Sequence, residues 1–131
     1  MYIIKRQEAL SLVSIILLLL GLYHLLILGG FLPSEYVWSG KIESERDLLI
    51  YESISLGLIA TALIAIYFDY IEIFKRFTQA IFYLYTILFG LNTIANLFAP
   101  TQQEQILFSI ITFIMTLCMF RLSMKDKDTS L

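Results

Sequence analysis

Five residues carry chemistry that is out of keeping with the stretches that hold them. His24 and Glu52 are ionisable, Asn92 and Asn96 bear amides, and Ser109 bears a hydroxyl, yet each sits within a strongly apolar run. A polar group taken out of water is costly unless it finds a hydrogen-bond partner, and ionisable residues in such runs face a bundle interior or a water-filled cavity. Asn92 and Asn96 are four positions apart, which places them on one helix face, and Tyr85 and Phe89 continue that face. A carboxylate leaving water is driven toward its neutral form, whereas an imidazolium beside it favours the charged form. Where His24 and Glu52 meet, they can share a proton, with the two asparagines orienting them or hydrogen-bonding a ligand.

The same residues also admit a purely structural reading. Asparagine, serine and threonine commonly bond one membrane helix to the next. Glu52 can extend its carboxylate outward to water, and a lone histidine can serve a single structural hydrogen bond.

The elements that position these residues follow from composition. Of the 131 residues, 59% are hydrophobic and 15% charged, where a soluble domain carries about 25% charge. Most of the chain therefore faces something other than water, and the broad class is integral membrane. No polar linker or low-complexity tract divides the sequence, so residues 1–131 read as a single domain. A net charge of −2 offers no basic patch for nucleic acid. The lone Cys118 cannot form an internal disulfide and reads as a small buried hydrophobe. With one histidine and scattered acids, the sequence implies no metal site and no cofactor.

Four apolar spans are predicted, at about 9–32, 48–68, 77–99 and 105–122. The first is too long for a signal h-region and no small-x-small site closes it, so it reads as a retained helix ending at Gly29-Gly30 before Pro33. In the first connection, Tyr36 and Trp38 suit the headgroup level, and 37–42 suits a tight turn. Ser44-Glu45-Arg46-Asp47 and Thr101-Gln102-Gln103-Glu104 both fit capping patterns at helix starts. Ser53, Gly57, Thr61 and Ala65 recur at every fourth position of the second helix, a small-residue stripe suited to close helix packing. Ser109, Thr112 and Thr116 share one face of the fourth, and Arg121 anchors its inner end.

Lysine and arginine set the orientation. Lys5, Arg6, Lys75, Arg76, Arg121, Lys125 and Lys127 fall at one end of the spans, and only Lys41 and Arg46 at the other. The expectation is an all-α, up-down four-helix bundle of the cytoplasmic (inner) membrane, with both termini cytoplasmic. Helical rise then places His24 roughly 10 Å below the outer boundary, Asn92 about 11 Å, Glu52 and Ser109 about 6 Å, and Asn96 about 5 Å. All four helices bring their most polar residue to the outer third.

Two stretches carry a resemblance. Gly21-Leu22-Tyr23-His24 followed by Leu32-Pro33 and Val37-Trp38-Ser39-Gly40-Lys41-Ile42, and Leu91 to Ala99 followed by Thr101 and Glu104, resemble a group of small bacterial four-span membrane proteins, with Ser39 in place of a second glycine. The resemblance implies a bacterial membrane origin and carries no activity.

The leading functional expectation is an outward-opening site for a small amphiphile or lipid-like ligand, lined by His24, Glu52, Asn92, Asn96 and Ser109, with the bilayer as surroundings. Three alternatives stand beside it: an isomerase-like enzyme using His24 and Glu52 as acid and base, an oligomeric channel or proton-coupled transporter, and an accessory subunit of a larger membrane complex. The last two require a second copy or a membrane-protein partner.

Overall fold

The computed structural model describes residues 3–126, so Lys127 and the rest of the polar tail lie outside the described residues. Four helices form: α1 (Arg6–Leu28), α2 (Glu45–Tyr70), α3 (Lys75–Leu97) and α4 (Ser109–Ser123), the last preceded by a π-helical turn, Glu104–Phe108. With that turn included, all four are long and apolar enough to cross a bilayer. Their outward faces are hydrocarbon: Leu18, Leu22 and Leu25 on α1, and Ile110, Phe113 and Leu117 on α4, are all exposed. A chain with so much apolar surface around a helical bundle is a multi-pass membrane protein.

The predicted spans match these helices within a few residues, and the helix ends have identifiable causes. At the end of α1, Gly30 adopts φ +78, and the Phe31 amide reaches back to the Leu26 carbonyl (2.9 Å) while that of Gly30 reaches Ile27 (3.0 Å). This is a Schellman ending, which needs a residue that tolerates the left-handed region. Ser44 caps α2 as expected, its Oγ accepting from the Asp47 amide at 3.1 Å. A compact turn through Ile71–Phe74 joins α2 to α3, with Glu72 (φ 62) and Phe74 (φ 53) in left-handed conformations.

Each helix packs on its neighbours in sequence, and α4 closes back on α1. Neighbours run antiparallel: Arg6, at the start of α1, meets Asp69, near the end of α2, while His24 meets Glu52 at the opposite ends of the same helices. Thr93 on α3 likewise bonds Thr112 on α4 (3.0 Å).

The interior has two unlike halves. Toward the α2–α3 turn it is solid: Ala9, Val13 and Leu17 of α1 pack with Ala62 and Ala65 of α2, Phe82 of α3, and Met115 and Met119 of α4, all essentially inaccessible. The 9–13–17 spacing sets one residue per turn on a single stripe, and the alanines of α2 admit the bulk of Phe82. Cys118 is buried in this half as a free thiol. Toward the α1–α2 connection the interior is hollow.

The small-residue stripe of α2 behaves otherwise than expected. Only Ala65 is buried, while Ser53, Gly57 and Thr61 face outward and no neighbouring atom approaches a Cβ placed on Gly57. The buried face of α2 consists instead of Glu52, Ser55, Ala62, Ala65 and Ile66.

At the solid end a polar clamp closes the bundle. The Arg6 guanidinium donates to Asp69 Oδ1 (2.7 Å) and to the carbonyls of Leu122 (2.7 Å) and Met124 (3.1 Å), joining α1 to the ends of α2 and α4. Arg121 donates through Nε to the Ile4 carbonyl (3.1 Å) and pairs with Asp126 (2.6 Å), consistent with its expected place at a helix end.

Candidate functional site

The hollow half holds a cavity of about 370 Å³. All four helices, the π-helical turn and the α1–α2 connection contribute to it. Because α1 and α2 are antiparallel, His24, near the end of α1, comes level with Glu52, near the start of α2. Their contact is direct: His24 Nδ1 lies 2.6 Å from Glu52 Oε2.

Glu52 is fully buried, and the side chain of His24 retains only 15% of its exposure. The two carboxylate oxygens differ sharply. Oε2 is engaged by the imidazole, whereas Oε1 is buried and has no hydrogen-bond partner among the described residues. Glu52 itself does not line the cavity; His24 does. With Nδ1 held, Nε2 is the ring nitrogen left to act on whatever occupies the space. A carboxylate on Nδ1 fixes the imidazole's orientation and tautomer, the arrangement by which histidine serves as a general base or a directed hydrogen-bonding group.

On α3, Tyr85, Phe89, Asn92 and Asn96 share the cavity wall, as their spacing predicted. The Tyr85 hydroxyl donates to the Leu58 carbonyl of α2 (2.6 Å), fixing the ring as a floor between cavity and core. The Asn96 amide reaches Thr112 Oγ1 at 3.5 Å, at the limit of a hydrogen bond. Asn92 makes no side-chain hydrogen bond among the described residues. The interhelical bonding expected of the asparagines falls instead mainly to Thr93 and Thr112.

Ser109 lies apart from this group. Its Oγ faces back along its own helix toward the Glu104 carbonyl (3.4 Å), and it borders a separate, shallow groove with Thr93 and Gln105. Glu104, Phe108 and Thr112, spaced four apart, share the cavity face, and Ser109, one position beyond Phe108, falls off it.

Glu104 is the residue that sequence reasoning passed over. Its capping role is real in part, since Thr101 Oγ1 accepts from the Glu104 amide (3.3 Å). The side chain, however, turns inward. It is 2% exposed, accepts from Thr101 Oγ1 at 2.8 Å, and lines the cavity. The signal available in the sequence was a carboxylate at the very start of the fourth apolar span, which the capping pattern had already absorbed.

The α1–α2 connection covers the cavity's end. Trp38 lies in the left-handed region at φ 54, a conformation that costs a bulky residue about 1–3 kcal/mol and persists only where the surroundings hold it. Two contacts do so: its Nε1 donates to Ser55 Oγ (3.2 Å), and its ring packs on Tyr51 with centroids 5.0 Å apart. Lys41, exposed, stands at the rim. No group of three or more histidines, cysteines or acids suited to a metal occurs among the described residues.

No protein-family model, curated protein or solved structure matches the chain.

Proposed function

We propose that the protein binds a small amphiphile within its bundle, the polar head against His24, Asn92 and Asn96 and the apolar part along the walls. The observation that carries this reading is the cavity. Its volume of about 370 Å³ falls within the range of about 300–1,000 Å³ usual for small-molecule sites, and it is an apolar space with a few convergent polar groups. Glu52 takes part through His24, as a positioning residue, and Ser109 is left out of the site. The resemblance noted above supports a bacterial cytoplasmic membrane as the setting. The clustering of lysine and arginine at the clamp end supports cytoplasmic termini, with the cavity toward the outer face. A reporter active only in the cytoplasm, fused after residue 131, is expected to be active; inactivity would reverse the orientation.

Native mass spectrometry of the mildly extracted protein tests the binding itself. A monomer carrying a discrete extra mass is expected, with that mass lost in Glu52→Gln and His24→Ala. A defined oligomer with no added mass would instead favour a channel or an assembly subunit.

The 2.6 Å contact favours one second reading. A histidine held through Nδ1 by a carboxylate is oriented as a general base is, so a ligand with an acidic C–H within hydrogen-bonding reach of His24 Nε2 would be a substrate. Isomerisation of the bound molecule would then be seen as a new product at unchanged mass.

A further inference from the structure

We infer that the cavity opens sideways into the bilayer between α2 and α3, and that its ligand is a membrane-resident lipid held by its head, with its tail lying out through this opening. This rests on the amphiphile reading above and specifies the ligand's source and pose.

The residues that face both ways mark the opening. Tyr85, Phe89 and Thr112 line the cavity and are buried, so facing the cavity does not by itself expose a side chain. Leu58 of α2, and Asn92 and Ala95 of α3, line the same space and yet are exposed. They therefore also border the outside of the bundle. Their helices turn them toward each other. On α3, Thr93 bonds Thr112 and Gly90 looks onto Thr116, which marks the flank turned to α4. At 3.6 residues per turn, Leu88, Asn92 and Ala95 fall on the opposite flank of the cavity face, toward α2. On α2, Glu52 turns to His24 of α1. Leu58 lies on the other flank, where its carbonyl accepts the Tyr85 hydroxyl. Of the neighbouring helix pairs, α2 and α3 also pack together least extensively.

The opening is bounded below and above. The Tyr85–Leu58 bond (2.6 Å) closes it toward the solid core, and Trp38 stacked on Tyr51 (5.0 Å between centroids) roofs it at the α1–α2 connection. Along α3 the rise from Tyr85 to Asn92 is about 10 Å. Polarity is graded across this gap: His24 and Asn96 lie inside, Asn92 at the edge, and Leu58, Leu88 and Ala95 beside it. An exposed amide within a membrane span is costly unless it is hydrogen-bonded, and Asn92 makes no side-chain hydrogen bond among the described residues. The head of a lipid passing through the opening supplies that partner, and the apolar flanks suit its tail. The volume of about 370 Å³ then limits the head and the first carbons, and leaves the length of the tail free.

Photolabelling of the full-length protein in phosphatidylcholine vesicles tests this. Hexadecyl amphiphiles carrying a diazirine at mid-chain, with an alcohol, a carboxylate or a phosphocholine head, are irradiated with and without an excess of the unlabelled compound, and adducts are mapped by peptide mass spectrometry. At least one head is expected to give adducts at Leu58, Leu88 or Ala95 that the excess removes. Ala95→Phe, which narrows the gap, is expected to lower the competed adducts at Leu58 about fivefold, whereas Leu91→Phe, on the outer face of the same helix, leaves them unchanged. The map on the unaltered protein decides the matter if a variant fails to fold; unchanged labelling in a folded Ala95→Phe overturns the opening. Competed adducts confined to α1 and α4 overturn it too and leave the amphiphile reading intact. No competed adduct with any head also overturns the opening, and the added mass in the native spectrum then decides the amphiphile reading separately.

Discussion

Replacing His24 by alanine is expected to lower the unfolding free energy by about 3–5 kcal/mol, the usual cost of stranding one member of a buried ion pair. The upper part of that range applies because Glu52 is fully buried and its Oε1 already lacks a partner, leaving the carboxylate one contact, the imidazole at 2.6 Å. Glu52→Gln is expected to cost less, about 1–2 kcal/mol, since a neutral amide can still accept from Nδ1. Removing both members together, as His24→Leu with Glu52→Met, is expected to return stability to within about 1 kcal/mol of the parent, because buried apolar replacements avoid the desolvation of charge. Reversible unfolding in mixed micelles, followed by circular dichroism, gives all three values. A His24→Ala variant as stable as the parent would mean that water reaches Glu52. The double variant serves a further purpose, since it separates loss of a bound molecule from loss of the fold.

The second large effect is expected at the opposite end. Arg6 makes three hydrogen bonds, to Asp69, Leu122 and Met124, and Asp69 keeps only 7% of its side-chain exposure. Arg6→Ala removes all three and leaves Asp69 without its cation, at an expected cost of about 3 kcal/mol. Arg6→Lys is expected to recover less than half of that. An ammonium is a single point of charge on a flexible stem and cannot present the planar fork that serves a carboxylate and two carbonyls at once. The same unfolding measurement applies, and equal stability of the lysine and arginine forms would show that charge alone closes the clamp.

The fold was largely legible because hydropathy in a membrane protein is read over twenty residues at a time, and the punctuation was clear: Gly29-Gly30 before Pro33, Ser44 ahead of Asp47, Pro100 ahead of Thr101. What hydropathy does not encode is rotation about each helix axis. Lipid-facing and core-facing positions are equally apolar, so the spacing of Ser53, Gly57 and Thr61 pointed to a packing face that the folded chain turns outward. Polar residues carry the rotational information instead. His24 and Glu52 were identified at similar depths, and Asn92 and Asn96 on a shared face, because each departs from its surroundings. Ser109 was assigned by depth alone, which carries no rotational information. The cavity face of this helix is set by Glu104, Phe108 and Thr112, four apart, and the capping pattern at Glu104, itself real, left its second role unread.

The clamp at Arg6 has an order in time as well as a place. Synthesis runs from the N-terminus, so Arg6 leaves the ribosome before its partners. Asp69 follows 63 positions after it, and the acceptor carbonyls 116 and 118 positions after it. The ion pair with Asp69 is therefore available to hold the first two helices together while the rest is still being made. The bonds to Leu122 and Met124 close only when the last helix has joined. A chain interrupted within α4 keeps the ion pair and lacks the closure, so the contact that secures the finished bundle is also the mark of its completion.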